Sequence, residues 1–462
     1  MRLFTREKDF YSVFFRLFPI LAAQNILILA MSLADNLMLG AYSQTALSGA
    51  AAANQLQFLF NQVTMATGDA LVVLAAQYFG KGDYAPIKRA ASVAYLVAIS
   101  LSLLFFLGAS LLPRQLLSLF TGEESYVSAG CSYLGVIRFT YPIFAITSVS
   151  LALLRSIASV RIAMLSSFVA LLANCSVNYV LIFGRFGAPE MGLKGAAIGT
   201  LLARVLELAF VLGYLLLRDR KLRLRLRELF SFDSAIARSY LALAKPTLIV
   251  GAMFGASTCL QTVILGHLSS NAIAANSAAS TIYMILKVAA IGASSASAVV
   301  IGAAIGRGDL KQVKEYARTL QMLYLILGAL TSITLLIIRI PLLSLYTGLT
   351  PEALRLTNDF ILVLCVTSIG TTYEMPVLCG IVRGGGDASF VLKNDLISIW
   401  GIVLPLSALG AFVFHFHPVL VLFCLNSDQL FKCAAAAIKC NRYTWIKRLT
   451  VREDAGINEQ KA

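Results

Sequence analysis

Charged side chains interrupt long apolar stretches of this sequence at Asp35, Asp69, Arg138, Arg204, Glu207, Lys287, Glu374, Asp395, Asp428 and Lys432. At the centre of a membrane-spanning helix such a charge costs about 2.5–3.5 kcal/mol, so each one needs a reason. Internal pairing is the simplest. Arg204–Glu207 and Asp428–Lys432 have the (i, i+3) and (i, i+4) spacings that place both partners on one helix face. Asp35 has no basic neighbour at helical spacing and precedes a turn at Gly40. Burial disfavours the charged form of a carboxylate, and a nearby cation favours it. A carboxylate balanced between the two can exchange H+, Na+ or a cationic ligand. Asp35 is therefore a candidate coupling or binding group, with transient Na+ as one occupant; the alternative is a buried, hydrogen-bonded aspartate.

Asn174 and Asn178 lie one helical turn apart and face the same way. Their amides can donate and accept hydrogen bonds but cannot titrate. Amide oxygens can help ligate Na+, or the pair can serve as an inter-helix hydrogen bond. Further along, Glu374, Asp395 and Asp428 stand against Lys287 and Lys432, leaving one negative charge in excess if all are ionised. A second cation site, or a network of Lys287 with Glu374 or Asp395, would resolve the imbalance. Phe58, Phe60, Phe139 and Tyr141 are candidates to line an amphiphile cavity, or to pack.

The elements that position these groups follow from composition. Of 462 residues, 58% are apolar and only 13% charged, with a net charge of +15. Mean hydropathy is +0.80. A soluble fold of this size would lack the polar residues to cover its surface. The basic residues sit between apolar segments rather than along a stripe, which argues against nucleic acid. The eight cysteines form no CxxC pair, and there are three histidines. Neither a disulfide framework, nor a metal centre, nor a cofactor site is expected. No phosphate-binding P-loop is present, so ATP is not the expected energy source.

Twelve spans are expected, at about 15–38, 48–76, 90–112, 129–154, 161–184, 193–217, 241–266, 272–304, 317–338, 358–381, 393–414 and 417–438. The second carries Asn54, Gln55, Gln57, Asn61, Gln62 and Asp69, and should face protein or water. The first apolar run is too long for a signal-peptide core. Of the 38 Lys and Arg, 28 fall in one set of alternate connections and termini and five in the other. That bias places both termini in the cytoplasm of a multi-pass cell-membrane protein. Residues 218–240 form the longest cytoplasmic connection. Its Lys221–Arg227 stretch alternates bases with leucines, as an anchor between halves or a strip resting on anionic lipid headgroups.

The chain repeats itself. Leu116–Gly122 (LLSLFTG) recurs as Leu342–Gly348 (LLSLYTG), a shift of 226, and Gly80-Lys81-Gly82-Asp83 recurs as Gly306-Arg307-Gly308-Asp309 at the same shift. Leu39-Gly40 matches Leu265-Gly266, Pro19 matches Pro246, and Arg155 matches Arg383. Six spans per repeat give both halves one orientation. The expected fold is all-α: twelve transmembrane helices in two six-helix lobes related by a parallel repeat. The lobes would be residues 1–217 and 241–440, joined by a basic linker at 218–240 and followed by a cytoplasmic tail at 441–462. Parallel repeats of this kind place a substrate site between halves that rock against each other.

Asp35-Asn36-Leu37-Met38-Leu39-Gly40 resembles the D-x-x-M-x-G signature ending the first helix of multidrug and toxic compound extrusion (MATE) transporters of prokaryotic type. Ala76–Asp83 resembles their A-Q-x-x-G-x-x-D. Asn174–Gly184 with Pro189–Ala197 and Thr200 resembles the stretch joining helices 5 and 6, and Arg383–Asp387 their R-G-x-G-D. The likeness runs to about residue 440. It implies a cation-coupled exporter of amphiphilic, often cationic, small molecules, driven by H+ or Na+ entry, surrounded by lipid and expected to be monomeric. It assigns Asp35 to the helix-1 acid and Thr200 to the same site. It makes Pro19 a gating candidate through bending of the first helix, although prolines near a helix start are also simply tolerated. Asn178 stands where many relatives resemble an aspartate, so Asp35 lacks that carboxylate partner. No acid occurs between Leu241 and Gly266, and Glu374 does not keep the usual spacing from the Arg-Gly motif.

Two readings compete. A flippase for a lipid-linked saccharide would line its cavity with several arginines, for which the first repeat offers only Arg138 and Arg204. A membrane-embedded enzyme would need a catalytic constellation, and no HExxH, metal cluster or Ser/His arrangement is present. The charge bias makes the topology testable: reporter fusions after Gly40, Gly187 and Ser269 should read outside, and those after Gly82, Phe232 and Gly308 inside. An outside reading at Phe232 would defeat the two-repeat topology, because that connection joins the halves.

Overall fold

The computed structural model describes residues 4–225, 227–228, 232–344 and 350–450. The second copy of the LLSLxTG heptad therefore lies partly outside the described residues, as does the tail beyond 450. No strand occurs among the described residues. The first half contains α1 (Lys8–Tyr42), α2 (Gln44–Lys81), α3 (Ala85–Leu111), the short α4 (Pro113–Ser118), α5 (Glu124–Ile137), α6 (Thr140–Ser156), α7 (Val160–Phe183) and α8 (Gly192–Gly213). The second contains α9 (Ser234–Gly266), α10 (Ser270–Arg307), α11 (Leu310–Leu343), α12 (Pro351–Met375), α13 (Ala388–Asp395), α14 (Leu404–Phe412), α15 (Pro418–Leu425) and α16 (Asp428–Arg442). Among the described residues, eleven helical stretches are long and apolar enough to cross a membrane. The α5–α6 pair, bent by 54°, passes the same test only when the two helices are taken together, and counted as one span it brings the number to twelve.

Local chemistry explains the interruptions that the hydropathy pattern does not show. Pro142 cannot donate to the carbonyl of Arg138, and its ring crowds that carbonyl, so the expected fourth span breaks at Arg138–Phe139. Pro376 opens a π-helical turn over Pro376–Val382, and a second, Leu396–Val403, precedes Pro405. The twelfth expected span breaks between α15 and α16. There the Asn426 amide donates to the carbonyl of Leu422 (3.0 Å) and the Ser427 hydroxyl to that of Cys424 (2.7 Å), so side chains compete with the helical ladder.

The repeat is plainest in α2 and α10. Each is 38 residues long. Ser43 caps α2 by accepting from the Ala46 amide, and Ser269 caps α10 by accepting from that of Ala272. Both end on a glycine in the left-handed region, Gly82 at φ 81° and Gly308 at φ 85°. The two helices meet near these ends. A Cβ on Gly80 would stand 2.0 Å from the carbonyl oxygen of Ala303, and one on Gly306 would stand 1.9 Å from that of Gln77. Gly80 and Gly306 are repeat equivalents, and so are Gln77 and Ala303, so the contact is two-fold symmetric. Only glycine allows the backbones this close.

The buried cores cross between the halves. Phe10, Phe14, Leu17 and Leu21 at the start of α1 belong to a cluster with Ala296, Val300, Tyr316 and Val377 of the second half. In return Ile236, Tyr240 and Leu243 at the start of α9 join the first-half cluster around Leu71, Leu74 and Ile87. Tyr240 also donates to the carbonyl of Thr67 (3.1 Å). Each lobe's first helix is thus shared.

Residues 443–450 form a strap over the same end. Trp445 is fully buried, donates to the Cys440 carbonyl (2.8 Å) and covers Gly385, where a Cβ would collide with its ring at 2.1 Å. The Gln77 side chain of α2 donates to the carbonyl of Lys447 (3.0 Å) and accepts from the amide of Leu449 (2.9 Å). Lys439 and Lys447 both bridge to Asp387, at 2.7 and 2.8 Å.

Enlarging either glycine of the α2–α10 contact should push the lobes apart. Gly306→Val should cost about 1–3 kcal/mol and visibly lower the unfolding midpoint in detergent. Gly213→Ala, at a helical glycine with nothing within 4 Å of the added carbon, should leave it unchanged or slightly raised. Equal midpoints for the two variants would contradict the contact.

Candidate functional site

Four of the residues expected in the first lobe come together between α1, α7 and α8. The Asn178 amide donates to Oδ1 of Asp35 at 2.5 Å. It also lies 3.3 Å from Oδ1 of Asn174, whose own amide donates to the Thr200 hydroxyl at 3.3 Å. Asn174 and Asn178 are fully buried, Thr200 is buried, and Asp35 is half-buried. Asn178 meets Asp35 because α8 comes very close behind it: a Cβ on Gly199 would stand 2.0 Å from the Asn178 Oδ1. Among the described residues that oxygen accepts no hydrogen bond, and the NH2 of the amide faces the carboxylate.

Arg204 faces Asp35 electrostatically but is committed elsewhere. It pairs with Glu207 at 2.7 Å and lies over the Phe144 ring at 5.1 Å. The spacing-based expectation of an on-helix pair therefore agrees with the geometry. Asp35 has no ion pair within 4.0 Å among the described residues, and its hydrogen-bonding partners are neutral amides.

The second-lobe residues form a denser network with a different centre. Lys432 bridges Asp395 at 2.9 Å and Asp428 at 3.0 Å, joining α16 to the end of α13. Asp428–Lys432 was legible as an on-helix pair, while Asp395 reaches the same lysine through tertiary contact. Glu374 faces Lys432 foremost, then Asp428, Asp395 and Lys287. Neither Glu374 nor Lys287 makes an ion pair within 4.0 Å among the described residues. The ammonium of Lys287 lies 5.9 Å from the centre of the Phe254 ring. Glu374 and Asp395 each adjoin a π-helical turn, where the altered winding re-aims side chains.

Pro19 lies inside α1, which continues through it, and is remote from the asparagines. Phe60 and Tyr141 are buried against each other at 4.6 Å, with Phe105 alongside, so they pack the core and do not line a cavity. Phe139 remains 46% exposed beside Arg138.

A further group escaped the sequence reading. Asp69 accepts from Arg155 at 2.9 Å and from Arg383 at 2.8 Å, one oxygen to each. Arg155 ends α6 in the first lobe, and Arg383 follows the π turn in the second, so a single carboxylate bridges the lobes. The Arg155 side chain also reaches the hydroxyl of Ser295 (3.4 Å), the repeat equivalent of Asp69. The signal was present in the equivalence of Arg155 and Arg383.

These features define a two-lobed, multi-pass membrane transporter. The chain matches the MatE family over residues 20–180 and 246–409 and belongs to that family. It is 25% identical to the probable multidrug resistance protein NorM of Thermotoga maritima, over 83% of this chain and 82% of the relative. It is 26% identical to the NorM of Streptococcus pneumoniae over 85% and 86%. Its fold is similar to that of the Vibrio cholerae MATE transporter VcmN in the bent form, with a TM-score of 0.81 at 16% identity over 94% of this chain and 97% of that one. It is also similar to a MOP superfamily transporter from Pyrococcus furiosus, for which reverse polarity of the binding pocket suggests a different function. There the TM-score is 0.85 at 15% identity over 93% and 95%.

Removing the shared carboxylate should loosen the lobe junction. Cys379 lines the small cavity beside Asp69, Arg155 and Arg383. In a protein whose other cysteines are replaced by serine or alanine, Asp69→Asn should raise the rate of Cys379 modification by a soluble maleimide roughly ten-fold, because two arginines lose their common counter-ion. Unchanged labelling would show that the bridge does not hold this end closed.

Proposed function

We propose that this protein is a secondary active exporter of amphiphilic or cationic small molecules across the cytoplasmic membrane, coupled to H+ or Na+ entry by rocking of the two lobes. Asp35 is the coupling group, and both termini lie in the cytoplasm. The observation that carries the reading is the Asp35–Asn178 hydrogen bond. It sets one carboxylate against neutral amides inside the first lobe, with no lysine or arginine paired to it. A carboxylate held this way keeps its capacity to bind either a small cation or a cationic substrate. Exclusive occupancy is what antiport needs, since a ligand shifts a conformational equilibrium only by its differential affinity for the two states. The multidrug resistance proteins among the relatives support the substrate class.

In this reading the Asp69 bridge, the α2–α10 glycine contact and the terminal strap close the cytoplasmic end, and the described state faces outward. Cytoplasmic opening requires the two arginines to separate. The lobes correspond to residues 1–217 and 241–440, hinged by 218–240. Lys287, Glu374 and Asp395 form a second charged centre whose Lys432 bridge is structural. Arg204 is neutralised by Glu207, which disfavours an arginine-lined saccharide cavity.

Asp35→Asn keeps size and hydrogen bonding and removes the charge. Efflux of a cationic dye from everted vesicles, driven by an imposed proton or Na+ gradient, should fall at least roughly ten-fold at matched membrane expression. Glu374→Gln should cost less. Asn178→Asp should keep transport and move its pH optimum upward, because two adjacent carboxylates share a proton. Wild-type efflux by Asp35→Asn would reassign coupling to the second lobe.

A further inference from the structure

The basic face of the first lobe carries a cavity of about 350 Å³ whose lining includes none of Asp35, Asn174, Asn178 or Thr200. It lies where the start of α1, the α6–α7 turn, the end of α8 and the inter-lobe linker meet. Arg16, Arg161 and Lys221 stand around it, with Ile20, Val160 and Ile162 among its apolar walls. Arg16, Arg161 and Lys221 are all exposed. Neither Arg16 nor Arg161 has a hydrogen-bond or ion-pair partner among the described residues. Lys221 spends one proton on the carbonyl of Ile157 (2.8 Å) and lies 5.5 Å from the Phe79 ring centre. Two of its protons remain. The neighbouring acid is Asp219, which is buried and accepts from the Leu222 amide at 2.7 Å.

Three cations around one cavity repel one another. Although the side chain as a whole is exposed, desolvation around its ammonium is the main reason Lys221 sits below its ordinary range; Asp219 opposes this and Arg16 adds to it. The folded chain tolerates an arrangement that an anion would relieve. The fold itself does not require it. The repeat equivalents of Arg16 and Arg161, taken at the shifts of the adjacent Pro19/Pro246 and Arg155/Arg383 pairs, are Leu243 and Ser389. Unlike the Asp69 bridge, the cluster is a property of one lobe alone.

We propose that this cavity binds the phosphate headgroup of an anionic phospholipid of the inner leaflet. Arg16, Arg161 and Lys221 take the phosphate oxygens, and the glycerol and upper acyl segments lie on Ile20, Val160 and Ile162. Arginine forks and a lysine suit a phosphate, and basic pockets between transmembrane helices at a cytoplasmic interface have the chemistry for such headgroups. The apolar wall favours a lipid over a free anion, since phosphate alone would leave that surface unused. Because Lys221 belongs to the segment joining the lobes, a bound headgroup would tie that linker to the first lobe. The site stands whether or not Asp35 couples transport.

The test is lipid retention by the full-length protein, followed by native mass spectrometry in detergent with added phosphatidylglycerol, phosphatidylcholine or inorganic phosphate. The wild type should hold one phosphatidylglycerol molecule roughly ten-fold more tightly than the variant Arg16→Gln/Arg161→Gln/Lys221→Gln. The control Arg218→Gln/Arg223→Gln/Arg225→Gln, with the same charge removed outside the cavity, should retain it like the wild type. The single Arg161→Gln should give an intermediate loss, and its exposed position leaves folding intact. Equal loss in the control would mean a diffuse basic surface, and equal retention of phosphatidylcholine would mean a non-specific lipid contact. Competition by millimolar inorganic phosphate would identify a free-anion site. Any of these three results would overturn the proposal.

Discussion

Two backbones meet so closely at Gly80 and Gly306 that a Cβ on either glycine would collide with the carbonyl of Ala303 or Gln77. Helices in lipid gain nothing from burying apolar surface against one another, so their association depends on close packing and polar contacts. The α2–α10 contact supplies the first. The polar contacts cluster around it: the Asp69 bridge inside, and Gln77, Asp387 and the Trp445 strap at the surface. A junction made of many small contacts is one that can close firmly and still open as a unit. These contacts add to the apolar clusters in which the starts of α1 and α9 cross between the halves.

Symmetry sets the frame, and departures from it carry the chemistry. The repeat brings Arg155 and Arg383 to one place, and only Asp69 among the equivalent pair Asp69/Ser295 supplies a carboxylate. Two carboxylates there would balance the arginines. One leaves the pair held by a shared ion whose loss frees both. The same logic applies at Asp35, whose equivalent is Gln261. A carboxylate at position 35 and a glutamine at 261 make the two halves chemically different there, although their helices correspond.

The two charged centres also differ in what they can do. In the second lobe, Lys432 satisfies Asp395 and Asp428 together, which locks α13 to α16. A carboxylate committed to a buried ion pair has little freedom to accept another cation. Asp35 is hydrogen-bonded to neutral amides and makes no ion pair among the described residues. Charge count alone would rank the second lobe as the richer site. The partners of each charge separate the two centres: ion pairs in the second lobe, neutral amides around Asp35.

The sequence by itself determined the all-helical membrane fold, the parallel repeat and the two on-helix pairs, because hydropathy, repeat spacing and the 3.6-residue turn are local properties. It also grouped Asn174 with Asn178, one turn apart. Tertiary structure decided which groups meet across helices. Asp35 is joined to Asn178 by the approach of α7 and α8 at Gly199, a distance that no local pattern encodes. Asp395 goes to Lys432, and Glu374 and Lys287 make no ion pair among the described residues. Asp69 takes Arg155 and Arg383, one from each half. Phe60 and Tyr141 proved to be core. Whether an aromatic ring packs or lines a cavity, and which of several cations a carboxylate selects, depends on how rigid helices are set against one another, and that is settled only when the whole bundle is assembled.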